Sequence, residues 1–323
     1  MRHSSRLLVV GVVCLSGILG ALNNLSFAEN EPTRVVLGTA TKGGGFQLFG
    51  QHLAEVINTT DKTLAVDAIA TKGSKQNLPF LEEGKIDIGQ VEGNAARVAL
   101  EGIGRPPANL KVLAVMYPNP GMFVVRANSP YKTIDDLKGK PIAFGTRASG
   151  LRILANDVLD GLGMKPDVDF QQVILEKAAE GPRLVLDKKA EALWGAGIGW
   201  PGFVKVANAP GGARFIAPNV QEIERILSKH KHLQTMSVPA GTYEGQSDEI
   251  QSVGLWSLIL VRPNMDEEVV YRLTRAMHLG ETMLAAELKQ GAYTKAENTV
   301  KHVPVERIHP GAVRYFKEVG LIR

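Results

Sequence analysis

The chain has 323 residues, with 37 Lys and Arg against 33 Asp and Glu, a net charge of +4, and 44% hydrophobic residues. So even a charge balance argues against a protein that coats nucleic acid or an anionic membrane surface, and the length favours about two domains. Cys14 is the one cysteine, which excludes a disulfide framework and leaves an ordinary hydrophobic core to hold the fold.

In chain order, "MRHSSR" is a basic start, "LLVVGVVCLSGILGAL" (Leu7 to Leu22) an apolar run, and "SFA" (Ser26 to Ala28) a small-residue cleavage site. This order predicts a signal peptide over residues 1–28, with an uncleaved anchor as the alternative. The run is short for a membrane span, which takes about 20 apolar residues. Cys14 follows Val13, where a lipoprotein signal wants a small residue, so it reads as filler. Cleavage removes Arg2 and Arg6 and no acid, lowering the net charge from +4 to +2.

"RVVLG" reads as a strand, and Phe46, Phe49, Leu53, Val56 and Ile57 then recur at helical spacing. Between them stand Gly43, Gly44 and Gly45. A glycine loop feeding a helix N-terminus leaves backbone N–H groups free to meet an anion. "LAVDAIAT" (strand), "SKQNLPFLEEG" (helix), "KIDIGQV" (strand) and "NAARVALEG" (helix) follow, then the strands "LKVLAVMY" and "GMFVVRA". "TIDDLKGK" is a short helix or turn before the strand "PIAFGT"; "SGLRILANDVLDGLG" is a helix and "DFQQVIL" a strand. "EGPRLVLDKK" (helix), "AEALWGAG" (strand) and "QEIERILSKHKH" (helix) come next. "SVGLWSLILV" reads as one strand and "DEEVVYRLTRAMHLGETMLAAEL" as one long helix. The alternation predicts α/β layers with largely parallel sheets.

Two stretches echo one another: "LEEGKIDIGQVEGN" from Leu81 and "VLDKKAEALWGAGI" from Val185, with Asp87 matching Glu191. The echo predicts two α/β lobes facing a shared crevice, where such sheets bind ligands.

Familiar catalytic patterns do not fit. Gly38 and Gly43 start a P-loop, but Gly44 and Gly45 stand where Lys and Ser/Thr are needed. "GIGWPG" places Trp200 and Pro201 where a backbone should approach a pyrophosphate. No G-x-S-x-G occurs, and Ser149 fits a helix N-cap. His230 and His232 read as a basic, solvated helix end rather than a metal site. The expectation is a protein that is no enzyme and carries no metal or cofactor.

The segments "GTATKGGGF", "TKGSKQNLPFLEEGKIDI", "SPYKTIDDLKGKPIAFGTRASGLRILANDVLDGLG", "PAGTYEGQ" and "IHPGAVRYFKEVG" resemble the TAXI family, the extracytoplasmic solute-binding proteins associated with TRAP transporters. The resemblance runs over almost the whole mature chain. It implies a two-lobed periplasmic-binding-protein fold (type II) that closes over a solute, a periplasmic location, and delivery to TRAP membrane subunits driven by an ion gradient. Solutes in the family are small carboxylates and amino acids such as glutamate. First-lobe contacts then fall on Thr41, Lys42, Gly43, Gly44, Gly45 and Phe46, on Lys72, Gly73 and Ser74, and on Gln90, Glu92 and Asn94. Second-lobe contacts fall on Arg147, Ser149 and Gly150 and on Trp194, Gly195 and Gly197. The chain departs from the family pattern at Lys42-Gly43-Gly44-Gly45-Phe46, where Ser/Thr-Gly-Gly and a tyrosine are commoner, and at Gln90-Val91-Glu92, where Gln-Ser-Asp-like residues are commoner. Both departures bear on the ligand and leave the fold untouched.

On this reading the glycines let the backbone approach a ligand carboxylate, and Lys42, Lys72 and Arg147 set a positive field. Arg147 is the expected direct partner, because its fork matches a carboxylate. Glu92 either binds a ligand ammonium or neutralises Lys42 or Lys72. Trp194 and Trp200 either wall the site or pack in the core. The first lobe is expected over residues 29–122 and 255–323 and the second over 123–254, with crossings near Asn119–Val125 and Gln251–Trp256. The partners are a small organic anion and the permease, with no nucleic acid, and the protein is expected to act as a monomer. An ABC importer or a membrane sensor is the alternative recipient.

Overall fold

The computed structural model describes residues 31–323; the signal segment expected over 1–28 lies outside them. The chain opens with β1 (Thr33–Gly38), α1 (Gly45–Thr60), β2 (Leu64–Ile69), α2 (Ser74–Glu82), β3 (Ile88–Val91), α3 (Gly93–Glu101) and β4 (Lys111–Pro118). A second set follows: β5 (Gly121–Arg126), β6 (Pro141–Thr146), α4 (Leu151–Gly161), α5 (Pro166–Asp169), β7 (Gln171–Leu175), α6 (Glu180–Leu186) and β8 (Ala192–Ala196). It continues through α7 (Pro201–Ala207), β9 (Ala213–Ile216), α8 (Val220–Lys229), β10 (Gln234–Val238) and β11 (Ile250–Gly254). The chain ends with β12 (Trp256–Val261), α9 (Glu267–Leu279), α10 (Glu281–Glu287), α11 (Ala296–His302) and α12 (Pro310–Glu318).

Two five-stranded sheets result, ordered β2-β1-β3-β12-β4 and β7-β6-β8-β5-β9, beside a β10-β11 ribbon. In each sheet the first two pairings are parallel and the last two antiparallel. The sheets are therefore mixed rather than largely parallel. The strand that returns from the other half of the chain, β12 or β5, runs against its neighbours.

Each sheet is covered on both faces. Strand alternation shows this in the second lobe. Phe123, Val125 and Trp194 join a core with Phe144, Leu154 and Val158 on one face, while Met122, Val124 and Leu193 meet Phe203, Val206 and Tyr243 on the other. Strands buried on both faces read as continuous apolar runs, as "GMFVV" does.

The sequence reading joined elements that the structure separates. "SVGLWSLILV" is two strands in different sheets, β11 and β12, parted at Leu255. The long helix breaks at Gly280 into α9 and α10; a methyl group there would lie 2.2 Å from Val56 Cγ1, so the helix axis must change where it crosses α1. Elements α7, β9 and β10, which no strong periodicity announced, complete the second lobe.

The chain passes between sheets twice, through Asn119–Pro120 and through Leu255, and the two passages are tied together. The Asn119 amide N–H donates to the Leu255 carbonyl (3.1 Å), and its side-chain Nδ2 donates to Ser257 Oγ (2.6 Å). A methyl group on Gly254 would lie 1.9 Å from the Asn119 carbonyl oxygen, so only glycine allows this approach.

Candidate functional site

The C-terminal ends of the strands in both sheets meet across one cavity of about 70 Å³. The first lobe contributes Thr41, Gly44, Gly45, Phe46, Lys72, Gly73, Ser74, Glu92, Tyr117 and Asn119. The second contributes Phe144, Thr146, Ser149, Gly150, Leu151, Leu175, Ala178, Trp194 and Trp200.

The lobes are closed on one another. Thr41 Oγ1 accepts from the Ala178 amide (3.1 Å), and the Lys75 amide donates to the Ala148 carbonyl (3.2 Å). The three glycines find their reason here. A methyl group on Gly43 would lie 2.6 Å from Ala179 Cβ, one on Gly44 3.2 Å from Ala178 Cβ, and one on Gly45 2.7 Å from Trp200 Cδ1. Each of these neighbours belongs to the second lobe. The glycines thus make room for the closing lobe; Gly43, at φ +78°, also needs the left-handed region. Gly150 does the same in the opposite direction, against Glu92 Cβ at 2.6 Å and Ser74 Oγ at 2.8 Å.

Helix capping divides the molecule. Among described helices of eight or more residues, α3, α8, α9 and α12 carry side-chain N-caps, from Glu92, Asn219, Asp266 and His309. The remaining three, α1, α2 and α4, begin after Gly44, Gly73 and Gly150 with no side-chain cap. All three of those glycines line the cavity. The first-turn N–H groups have no partner within an ideal helix. Here the Leu151 amide of α4 donates to Ser149 Oγ (3.3 Å) and the Lys75 amide of α2 to the Ala148 carbonyl (3.2 Å), so the three helix starts face one cavity and α1 has the more open one.

Glu92 lines the cavity and has a structural duty there as well. It caps α3, accepting from the Asn94 and Ala95 amides (3.0 and 3.2 Å) and from Asn94 Nδ2 (3.0 Å). No lysine pairs with it. Burial pushes its carboxyl up to about 7, against the lowering effect of those hydrogen bonds, and Asp157 adds to the rise. Glu92 therefore changes protonation near neutral pH while facing the cavity.

The other expected contacts divide. Arg147 is exposed and does not line the cavity: at the end of β6 alternate side chains point to opposite sides, and Thr146 takes the inward position. Lys42 is exposed too, which leaves Lys72 as the cationic residue of the lining. Gln90 is buried against the Phe46 carbonyl and Gly50 amide of α1, and Asn94 serves Glu92. Gly195 packs under Trp200, and Gly197 offers its carbonyl to the Tyr243 hydroxyl (3.0 Å). Trp194 and Trp200 are both lining and core, 1% and 8% exposed.

The sequence reading missed Tyr117, Asn119, Phe144, Thr146, Leu175 and Ala178 as lining residues. Phe144 and Thr146 close β6 directly before the loop singled out for Arg147, so the strand-end rule could have found them. Burial holds the Tyr117 phenol well above its ordinary value, keeping it a hydrogen-bond donor. His230 and His232, expected on a solvated helix end, are instead packed against α4, with side chains 16% and 20% exposed.

Residues 37–320 match the NMT1-like family, and the chain belongs to it. Among solved structures, one similar chain comes from Bordetella bronchiseptica RB50, at 15% identity, covering 89% of this chain and 98% of that one, with a TM-score of 0.56. Another is the alkanesulfonate-binding protein SsuA from Xanthomonas axonopodis pv. citri, bound to MOPS, at 18% identity, 89% and 84% coverage and a TM-score of 0.52. At such identities the likeness concerns the fold, which is that of the periplasmic solute-binding proteins.

Proposed function

We propose that this member of the NMT1-like family is an extracytoplasmic solute-binding protein that captures a small organic anion, a carboxylate or an amino acid, between its lobes and delivers it to a TRAP-type permease. One observation carries the anion class: the N-termini of α1, α2 and α4, each preceded by a glycine, converge on a single cavity. Each helix end contributes roughly 0.3–1 kcal/mol toward an anion, and more when partly buried. The hydroxyls of Ser74, Thr146 and Ser149 and the exposed Lys72 add donors from both sides. A cavity far smaller than the roughly 300–1,000 Å³ of drug-sized sites suits a compact solute.

Binding needs no chemistry. Contacts from both lobes exist together only in the closed form, so a ligand that touches both shifts the population toward closure. Closure is what a permease reads. The TRAP-type partner rests on the resemblance of "IHPGAVRYFKEVG" and the other quoted segments to the TAXI family. Periplasmic placement rests on that family and the N-terminal signal pattern; no helix among the described residues is long and apolar enough to cross a membrane.

The test is a thermal-shift and calorimetric screen of refolded, ligand-stripped protein against small carboxylates, amino acids and neutral sugars. Ligand at 100 times its dissociation constant adds about 2.7 kcal/mol, a readable rise in melting temperature. Stabilisation by carboxylates is the expected result, and stabilisation by neutral solutes alone would overturn the anion reading. Uptake by vesicles carrying the permease should collapse with an ionophore; collapse only on ATP depletion would replace the TRAP partner with an ABC importer.

A further inference from the structure

We propose that Asp157, His230 and His232 form a binding site for a divalent transition-metal ion of the zinc class, within the second lobe and separate from the solute cavity. One ligand atom from each of the three side chains lies within 4.8 Å of the other two. His232 Nε2 is 3.0 Å from Asp157 Oδ2, and His230 Nδ1 is 3.8 Å from Asp157 Oδ1. A tetrahedral zinc with bonds of about 2.0–2.1 Å holds its ligand atoms about 3.3 Å apart. His232 lies closer than that separation and His230 farther, each on a different Asp157 oxygen, so a turn of the carboxylate and a shift of the two rings would bring the three donors onto one ion.

Local structure brings them together. Asp157 sits on the α4 face that packs against α8, and the chain leaves α8 at His230 with a non-helical backbone (φ −112°, ψ 69°). Past that point, side chains two residues apart both turn back to α4. Their rings stand 5.7 Å apart and nearly perpendicular, at 88°.

An outer shell is already built. Asp160, one turn along α4, holds His230 Nε2 at 2.8 Å, and Lys229 Nζ holds the other Asp160 oxygen at 2.8 Å. A carboxylate on the far nitrogen fixes the ring and turns Nδ1 toward Asp157, the arrangement that metal-ligating histidines commonly have. Two imidazoles and one carboxylate suit zinc-class ions better than magnesium or calcium, which take oxygen-rich sets. His232 also borders a groove of about 360 Å³ beside Trp256 and His302, which supplies a way in and room for water as a fourth ligand.

The alternative state of these groups is a set of imidazole–carboxylate hydrogen bonds with no metal, and the two respond oppositely to added ion. The mature chain, stripped with a chelator and dialysed, is titrated with Zn²⁺ by calorimetry and with Co²⁺ by visible absorption. The expected result is 1:1 uptake at micromolar concentration or tighter, with the intense bands of tetrahedral Co²⁺. His232→Gln and Asp157→Asn should each weaken binding at least tenfold, and Asp160→Asn by about 10–100-fold with the stoichiometry kept. Imidazole ¹H–¹⁵N spectra of the unmutated chain give a readout that does not depend on any variant folding: two histidines, and no others, should shift on Zn²⁺ addition. Absence of 1:1 uptake, octahedral Co²⁺ bands, or shifts spread over other histidines would overturn the site.

Discussion

The two lobes are built on one plan and part company where they meet. Their sheets share strand order, and the third strand of each is preceded by an acid paired to an arginine at or just past the end of the fourth: Asp87 with Arg262 (2.7 Å) in the first lobe and Glu191 with Arg126 (2.7 Å) in the second. Those pairs sit at the ends of the strands away from the cavity. At the near ends the likeness stops. The loop after β3 carries Glu92 and a capped helix, whereas the loop after β8 carries Gly197, Gly199 and Trp200. The first lobe meets the cavity with Thr41, Ser74, Tyr117, Lys72 and one carboxyl beside Phe46; the second adds the hydroxyls of Thr146 and Ser149 to a wall of Phe144, Leu175 and two tryptophans. The shared plan holds the frame, and the unshared ends choose the ligand.

The largest effect should come from the aromatic wall, because it is also core. Trp194 packs 4.8 Å from Phe123, and its Nε1 donates to the Leu151 carbonyl at the start of α4 (2.9 Å). Trp194→Ala should cost about 3–5 kcal/mol in urea unfolding, while Phe46→Ala, at a half-buried first-lobe position, should cost clearly less. Equal costs would mean that the wall is no more structural than its opposite.

Glu92 gives the next effect, and it has no second-lobe counterpart. Its carboxyl moves from 4.5 to about 7 on folding, so between those values Glu92 holds its proton more firmly in the folded chain than in the unfolded one, while His302 and His309, lowered by burial, act the opposite way. The Glu92 contribution to stability should therefore fall as pH rises through that window, by up to about 3 kcal/mol. The difference in stability between the unmutated protein and Glu92→Gln, followed from about pH 5 to pH 8, should show this slope. Carboxylate affinity should rise as pH falls over the same range, since a neutral Glu92 does not repel the ligand. A difference that stays constant over this range would assign the slope to another group.

These two residues also mark how far the sequence could be read. The frame was legible because it is periodic: α1 repeats its apolar face, and the echo from Leu81 to Asn94 in the segment from Val185 located the corresponding third strands. The site was legible as loops and less so as side chains. Gly44, Gly73 and Gly150 were found at helix starts, but Arg147 was aimed inward although Thr146 holds that position. Glycine told of a close approach without telling what approaches; that Ala178, Ala179 and Trp200 arrive from some 130 residues or more away is long-range packing that no local pattern encodes. The strand break at Leu255 was hidden inside "SVGLWSLILV", although a crossing was expected over Gln251–Trp256, because a strand that changes sheets keeps its apolar character throughout.

A smaller effect should separate closure from folding. Thr41 accepts from Ala178 across the cleft and adds little within its own lobe. Thr41→Val should weaken solute binding by about 1 kcal/mol, roughly fivefold, with an unchanged unfolding midpoint for the empty protein. A shift in midpoint with unchanged affinity would place Thr41 in the frame instead.

The smallest effects come from the frame's own symmetry. Asp87 and Glu191 form comparable ion pairs, with side chains 25% and 24% exposed, and partly exposed pairs of this kind are worth at most about 1 kcal/mol. Asp87 has one further duty: its second oxygen accepts from the Val36 amide in the middle of β1 (2.8 Å). Removing it leaves a backbone donor unpaired inside a sheet, a penalty of about 1–3 kcal/mol. Asp87→Ala should therefore cost about 2 kcal/mol and Glu191→Ala about 1 kcal/mol or less, measured by urea unfolding in low salt. Added salt should shrink the Glu191 cost and leave most of the Asp87 cost, because screening weakens an exposed pair but does not satisfy an amide. If the two variants match in both size and salt response, the echo extends to energetics and the Val36 bond adds nothing; if they differ as expected, the lobes diverge even in the part of the frame where their sequences agree.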